Sequence, residues 1–486
     1  MWQSATRTGR RPLEQTRRRF AQKRKKTYFC IRKTTKKSKT YVIQQSIIEK
    51  YNVPVPRYTS YPPANFFKEY SEEEYLTAVQ KSNAAKEPNL SFYLHIPFCR
   101  HLCHYCACNS YAMQNETVVN AYVEALHKEI DQLIPLLDNG RQISQIHYGG
   151  GSPTTLQPTI IQALNQHLLT VFPKIAQPEV AIECHPGYLS LQDWKGLTDA
   201  GFSRFSIGIQ DFNEQVLKTV NRRPSQERME DIFAVLRDAG AKINLDFLFG
   251  LPHQTAESFC RSIERAIALQ PDRLVMFSYA HVPWLKKQQL ILEKAGLPAS
   301  EEKERMFNEA AQMLQSAGYV RVGLDHFVRP DDELYTALQN GQLHRNFQGY
   351  CTRRTTAQVY AIGVTGISQL ETAYAQNTKD IKEYIEIVNS GHLPIKKGYT
   401  LSHEQQLVRE VIDALMCNYH VTLSDEQRAA VNFDESRLAE MQSDGIVTIS
   451  GNTIRMTHES SPFVRNVAAL LDPLMQHTTK SFSKPI

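Results

Sequence analysis

No run of apolar residues in the 486-residue chain approaches the ~20 needed to cross a bilayer. No apolar stretch follows the basic N-terminus as a secretory signal requires. Both absences point to a cytoplasmic protein without a membrane span. Acids are nearly missing from residues 1–40, where 15 Lys and Arg face one carboxylate, Glu14. Residues 41–486 reverse the balance, with 41 Lys and Arg against 49 Asp and Glu, so the net charge of +6 hides a mildly acidic body. A disulfide framework is missing too. Four of the nine cysteines crowd into 99–108, a pattern that in a reducing compartment signals metal or redox chemistry. The scattered Cys30, Cys184, Cys260, Cys351 and Cys417 read as small buried hydrophobes.

The basic tail, 1–46, is expected to be disordered. Three readings compete for it: contact with nucleic acid or membrane, an organelle transit peptide, or a non-native extension. We favour the last; no Met lies between Met1 and Met113 to mark another start. From 90 to about 330, β-branched apolar runs at 90–96, 143–148, 179–184, 204–209, 242–249 and 273–279 alternate with helical patterns such as 118–137 and 257–269. Glycine stops follow at Gly201 and Gly240. Near-continuous apolar strands alternating with helices imply a parallel sheet covered by helices. Six units suit an α/β fold of the partial (β/α)6 TIM-like kind; an open doubly wound sheet is the alternative. Residues 400–486 form a mostly helical C-terminal domain, with helices at 403–418 and 463–475 and a hairpin at 446–456. Its order resembles a winged helix, yet 403–486 carries seven Lys and Arg against eleven acids, which argues against nucleic-acid binding.

The densest chemistry is His95, Cys99, Cys103 and Cys106, spaced H-x3-C-x3-C-x2-C just after the first strand. Three thiolates on one compact loop can hold a [4Fe–4S] cluster and leave one iron open to a substrate. The competing reading recruits Cys108 as a fourth ligand, closing the cluster or binding zinc. Tyr105 is either a packing aromatic or a platform for an adenine. The glycine run at 149–151, followed by Ser152, ends the second strand, where backbone N–H groups can receive an anion or an amino acid. In β/α barrels the site lies at the C-terminal strand ends. Those ends deliver the cysteine loop, the glycine run, Glu183, Gln210, Asp246 and Tyr279-Ala280. Glu183 suits a ligand ammonium and Asp246 a ribose hydroxyl. Arg222 suits a carboxylate, or is only a surface ion pair.

These residues resemble the radical S-adenosylmethionine (SAM) superfamily, and within it the oxygen-independent coproporphyrinogen III oxidases. The stretches that carry the resemblance are PRYTSYP at 56–62, CRHLCHYCACN at 99–109, GGGSPT at 149–154 and GIQDF at 208–212. Further on come NR at 221–222, NLD at 244–246, GLP at 250–252, YAH at 279–281, DHF at 325–327 and HRNFQGY at 344–350. The resemblance implies cluster ligation by Cys99, Cys103 and Cys106. It implies a first SAM at Tyr93, Tyr105, Gly150, Glu183, Arg222 and Asp246. A second SAM would lie at Gly151, Ser152, Gln210, Ala280 and Ile367. Glu183 and Arg222 are the implied catalytic residues. The segment 47–89 would cover the site, the barrel would span 90–330, and 331–399 would line the far side.

The implied reaction converts two propionates of coproporphyrinogen III to vinyl groups through a SAM-derived 5′-deoxyadenosyl radical, giving protoporphyrinogen IX in haem biosynthesis. A flavodoxin- or ferredoxin-like electron donor and a monomeric state are expected. Arg222, Arg345 and Arg353 are candidate propionate partners. The alternatives are another radical SAM tetrapyrrole enzyme, such as a haem-opening methyl transferase, or a haem chaperone. The chain departs from the family pattern at Cys184, His185, Pro186 and Gly187, where an acidic residue and Pro-Arg are expected, and mildly at Ala107, Ser152 and Cys351.

Overall fold

The computed structural model describes residues 45–85, 88–356, 358–457 and 462–485. The stretch 1–44, and with it the reading of a disordered tail, lies outside them. Two compact units divide between residues 50 and 51. Of the first, the described residues 45–50 are helical. The second holds the sheet and its helices.

Six parallel strands stand in sequence order: β1 (Leu90–Ile96), β2 (Ile143–Gly150), β3 (Lys174–Cys184), β4 (Arg204–Gln210), β5 (Lys242–Phe249) and β6 (Arg273–Ser278). Helices α1 (Glu116–Leu133), α2 (Pro158–Val171), α3 (Leu191–Asp199), α4 (Met229–Asp238), α5 (Ala256–Leu269) and α6 (Ser300–Ser316) follow the strands in turn. This is the partial (β/α)6 barrel expected from the periodicity. Each helix buries one stripe, as Tyr122, Leu126 and Ile130 do in α1 and Phe259, Ile263 and Ala266 in α5. The helix expected over 118–137 stops at Leu133, because Pro135 cannot continue the hydrogen-bond ladder and tightens the next turn into a 3-10 helix.

The sheet does not end where the periodicity fades. β7 (Val320–Val322) and β8 (His326–Val328) add antiparallel strands beside β6. On the other flank, β9 (Val359–Ile362) pairs parallel with β1 as a seventh parallel strand. Beyond it, β10 (Ile367–Gln369), β11 (Ala373–Asn377) and β12 (Ile395–Thr400) run antiparallel. The stretch read as a post-barrel region therefore builds the same sheet. Its strands are three to six residues long, too short to show a period.

Buried ion pairs gather toward the N-terminal strand ends. Arg204 Nε meets Glu179 Oε2 at 2.8 Å and Arg273 Nε meets Asp332 Oδ2 at 2.8 Å. Burial alone would raise the Glu179 carboxyl, but Arg204 holds it at about 2. That end is the structural one; the chemistry sits at the other.

In the C-terminal domain the helix His403–Asn418 forms as expected, and Val447–Ser450 pairs with Thr453–Met456 as the expected hairpin. His420–Thr422 adds a third strand. The last helix, expected to 475, ends at Leu471 because Asp472 caps a new turn opened by Pro473. Asp472 is fully buried and accepts the Tyr58 hydroxyl at 3.0 Å, which ties the segment around 56–62 to this domain.

Glu129 of α1 fastens the added flank. Its buried carboxylate accepts Gly363 N–H at 2.7 Å, Asn377 Nδ2 at 2.7 Å and the Tyr384 hydroxyl at 2.5 Å. Burial, only partly offset by these donors, raises the carboxyl to about 7. Glu129→Ala leaves three buried donors unpaired and is expected to cost about 2–4 kcal/mol in chemical denaturation. A carboxyl raised by folding stabilises below its unfolded pKa and loses that contribution as pH rises through the folded value. The gap between wild type and Glu129→Ala should therefore shrink as pH rises through about 7.

Candidate functional site

After β1 the chain enters a loop with little structure of its own. Within it, Cys106 N donates to Cys103 O at 3.1 Å and Ser110 N to Cys108 O at 3.1 Å. The loop's own ends pair, Tyr111 N donating to Pro97 O and Met113 N to Cys99 O, each at 2.8 Å, and further support comes from outside. His104 N reaches Val220 O at 3.0 Å, and Asn221 Nδ2 donates to Leu102 O at 2.9 Å. Gln289 Nε2 donates to Tyr105 O at 2.9 Å, Gln288 Nε2 to Cys106 O at 3.1 Å and Lys286 Nζ to Cys108 O at 2.8 Å. Buried His95 pins the far end. Burial lowers it to about 4, so it is neutral at physiological pH. Its Nε2–H donates to Asn109 O at 3.1 Å while Nδ1 accepts from the Tyr93 hydroxyl at 3.2 Å.

The thiols perturb one another. Burial, then the neighbouring Cys106 and Cys103, pushes Cys99 up to about 12. A hydrogen bond with Cys108 is the main reason that Cys106 falls to about 6. Arg222 stands among them: Nη1 donates to Cys103 Sγ at 3.6 Å and to the Tyr105 hydroxyl at 3.1 Å, and Nη2 donates to Gly208 O. Thiolates gathered this way repel each other and call for a shared cationic centre. Three thiols on one loop would hold a [4Fe–4S] cluster and leave one iron without a protein ligand. The donor set, three thiols with Arg222 beside Cys103, fits an iron–sulfur cluster.

The strand ends form the floor. His147 Nε2 contacts Glu183 Oε1 at 3.1 Å, and the His147 ring stacks on Tyr93 with centroids 5.9 Å apart. A Cβ on Gly149 would lie 2.8 Å from Glu183 Oε1 and 2.9 Å from the Tyr93 hydroxyl, so only glycine lets these groups meet. Gly208 plays the same part between Arg222 Nη2 and Gln210 Nε2, each 2.9 Å from where a Cβ would sit. Gln210 ends β4 with φ of +68° beside a register shift. Asp246 accepts Ser206 Oγ at 2.6 Å and Asn244 Nδ2 at 2.8 Å; burial raises its carboxyl, and nearby Glu183 adds to the rise.

Tyr93, Tyr105, Glu183, Gln210, Arg222 and Asp246 thus gather with the three cysteines at one end of the strands. The glycine run differs from its expected use. Gly151 N and Ser152 N donate to Ile96 O at 2.8 Å and Phe98 O at 2.9 Å, so they brace the cysteine loop rather than offer themselves to a ligand. Gly150 closes on the His95 ring, 2.8 Å from its would-be Cβ. Ala280 O accepts from Gln289 Nε2 at 3.2 Å. Ile367 lies in β10, two strands from β1.

Sequence reasoning does not single out His147, Gln288 or Gln289, and it places His95 in the cysteine motif without giving it a role. The H-x3-C spacing is the one available signal, for His95. The divergent stretch after Glu183 makes a turn: His185 Nδ1 accepts Gly187 N–H at 3.1 Å, and Tyr188 stacks on His101 of the cysteine loop at 5.8 Å. Gln289, fully buried, also accepts Val282 N–H at 2.6 Å. Gln289→Leu would unpair all three backbone groups. About 10-fold weaker retention of the cluster is expected, read as iron and sulfide content after reconstitution, as for other residues that orient metal ligands.

The Radical SAM superfamily model matches residues 93–266, from within β1 through most of α5. The oxygen-independent coproporphyrinogen III oxidase of Synechocystis sp. is 36% identical over 462 residues, covering 92% of this chain and 99% of its own length. The enzyme of the same name from Escherichia coli is 36% identical, covering 91% and 98%. A solved structure of the Escherichia coli coproporphyrinogen III oxidase, described as a radical SAM enzyme, superimposes with a TM-score of 0.80 at 35% identity, over 90% of this chain and 100% of that one. With its cysteine loop intact and about nine-tenths of its length matched to nearly the whole of these relatives, this chain belongs to the oxygen-independent coproporphyrinogen III oxidases of the radical SAM superfamily.

Proposed function

We propose that the chain carries out its family's reaction, the anaerobic oxidative decarboxylation of two propionates of coproporphyrinogen III to vinyl groups, giving protoporphyrinogen IX. The observation that carries this is the match of nine-tenths of the chain to nearly the whole of oxidases of that name, together with Cys99, Cys103 and Cys106 on one braced loop. That match favours this reading over haem-opening methyl transfer and haem delivery. The cofactors are a [4Fe–4S] cluster and SAM, which together supply a radical able to take hydrogen from an unactivated carbon.

The chain's own residues bind, orient and shield. Cys99, Cys103 and Cys106 ligate the cluster. Arg222 offsets thiolate charge at Cys103 and fixes the Tyr105 ring through its hydroxyl, ready to stack on an adenine. Glu183, half-exposed and anchored by His147, takes the amino group of SAM. Asp246, held from two sides by Ser206 and Asn244, accepts a ribose hydroxyl. A second SAM is proposed at Gly151, Ser152, Gln210, Ala280 and Ile367, with Gly151 and Ser152 lining the site while their N–H groups serve the cysteine loop. The rest of the proposal is a flavodoxin- or ferredoxin-like electron donor, a monomeric state and a cytoplasmic location. No helix among the described residues is long and apolar enough to cross a membrane.

The test is anaerobic turnover of cluster-reconstituted protein with reductant, SAM and coproporphyrinogen III, followed by mass spectrometry. Loss of two CO2 with formation of 5′-deoxyadenosine is expected. Deoxyadenosine without decarboxylation would overturn the substrate assignment. Alanine at Cys99, Cys103 or Cys106 should remove both cluster absorbance and turnover. Cys108→Ser should keep the cluster; its loss would instead revive a four-cysteine site.

A further inference from the structure

A second group of charges stands beyond the C-terminal ends of β5 and β6. Arg57 Nη2 donates to Ser278 O, the last residue of β6, at 3.3 Å. Lys303 of α6 packs on Gly250, just past β5, with Cε 2.8 Å from where a Cβ would sit. Asp325 O accepts from Met276 N of β6 at 2.9 Å, and the Asp325 carboxylate pairs with His326 Nδ1 at 2.7 Å. The His326 ring meets Tyr350 edge-on, with centroids 5.3 Å apart, and the Arg345 guanidinium covers Tyr350 at 4.5 Å.

These groups share one electrostatic neighbourhood. Arg57 and Arg345 act on each other as like charges, Arg57 acts likewise on Lys303, and both arginines act on Asp325. Two of these cations, Arg57 and Arg345, therefore act on one carboxylate that is already engaged by His326, and Lys303 adds a third positive charge beside Arg57. Arg345 is 6% exposed, yet its Nε and Nη1 have no acceptor among the described residues. A buried guanidinium with open donors is costly unless an anion completes it. Arg465 adds positive field nearby, but its own donors go to backbone oxygens, among them Pro56 O at 3.0 Å and Lys484 O at 3.1 Å. It positions the segment that carries Arg57 rather than offering itself to a ligand.

We propose that Arg57, Arg345 and Lys303 form a carboxylate pocket that holds a propionate of the substrate which is not decarboxylated. This rests on the proposed reaction. A carboxylate held by several cations loses that stabilisation when it leaves as neutral CO2, so such a pocket raises the barrier for a reacting propionate. It suits an arm that stays and fixes the ring against the radical source. Of the arginines suggested by the sequence, Arg222 serves the cysteine loop and Arg353 is exposed, whereas Arg345 has the open donors. Arg57 is not among those the sequence suggests.

The experiment is fluorescence titration of the full-length, cluster-reconstituted protein with coproporphyrin III, the stable oxidised form of the substrate, and with its tetramethyl ester, combined with steady-state turnover. Arg57→Gln and Arg345→Gln should each weaken binding of the acid on the order of 10-fold or more and leave the already weak binding of the ester unchanged. KM should rise with little change in kcat, and Arg57→Lys should recover part of the loss. Arg57 is exposed, so its variant reads the pocket even if Arg345→Gln fails to fold. Acid affinity and KM equal to wild type in Arg57→Gln would overturn the pocket while leaving the reaction in place. Failure of the unaltered protein to bind coproporphyrin or to turn over coproporphyrinogen III would overturn both.

Discussion

The site depends on immobilising about ten residues that cannot immobilise themselves. The cysteine loop has two backbone hydrogen bonds inside 103–110, and it must hold Cys99, whose thiol burial and the neighbouring Cys106 and Cys103 push up. Its shape is imposed by donors from elsewhere: Asn221 after β4, Lys286, Gln288 and Gln289 after β6, and the backbone of Ser152 after β2. Each reaches a carbonyl rather than a sulfur, so the thiols remain available. Arg222 is the exception, because it touches Cys103 directly and brings the charge that the sulfurs lack.

Charge is divided along the strands. At their N-terminal ends, cations and carboxylates stand in ion pairs, as in Arg204 with Glu179 and Arg273 with Asp332. At the C-terminal ends the balance is left open. Glu183 is half-exposed, and Arg345 keeps donors without acceptors. A fold that pairs its charges at one end and leaves them open at the other marks that second end for ligands.

Much of this is legible in the sequence, and the reasons are physical. The six central strands are readable because burial on both faces demands unbroken apolar runs, as in 242–249. The cluster ligands are readable because their spacing is the chemistry. The strands from β7 onward are not, since segments of three to six residues show no period and their register is set by partners far away. Gln289 carries no local mark: it ends a three-residue 3-10 turn, Lys287–Gln289, and its hydrogen bond to Tyr105 O exists only once the fold has brought the two together. Arg57 is readable only as part of a resembling stretch, because what it faces comes from 278, 303, 325 and 345.

Glu129 bears on how the protein is made. Its partner Gly363 lies 234 residues further along the chain, and Tyr384 lies 255. At a synthesis rate of roughly 5–20 residues per second, α1 leaves the ribosome on the order of 10–50 s before those partners exist. Throughout that interval the β1 edge that β9 will cover stays open to other strands. The nascent half-barrel is thus a client for chaperones, and the step that releases it is the arrival of the residues that close around a single carboxylate.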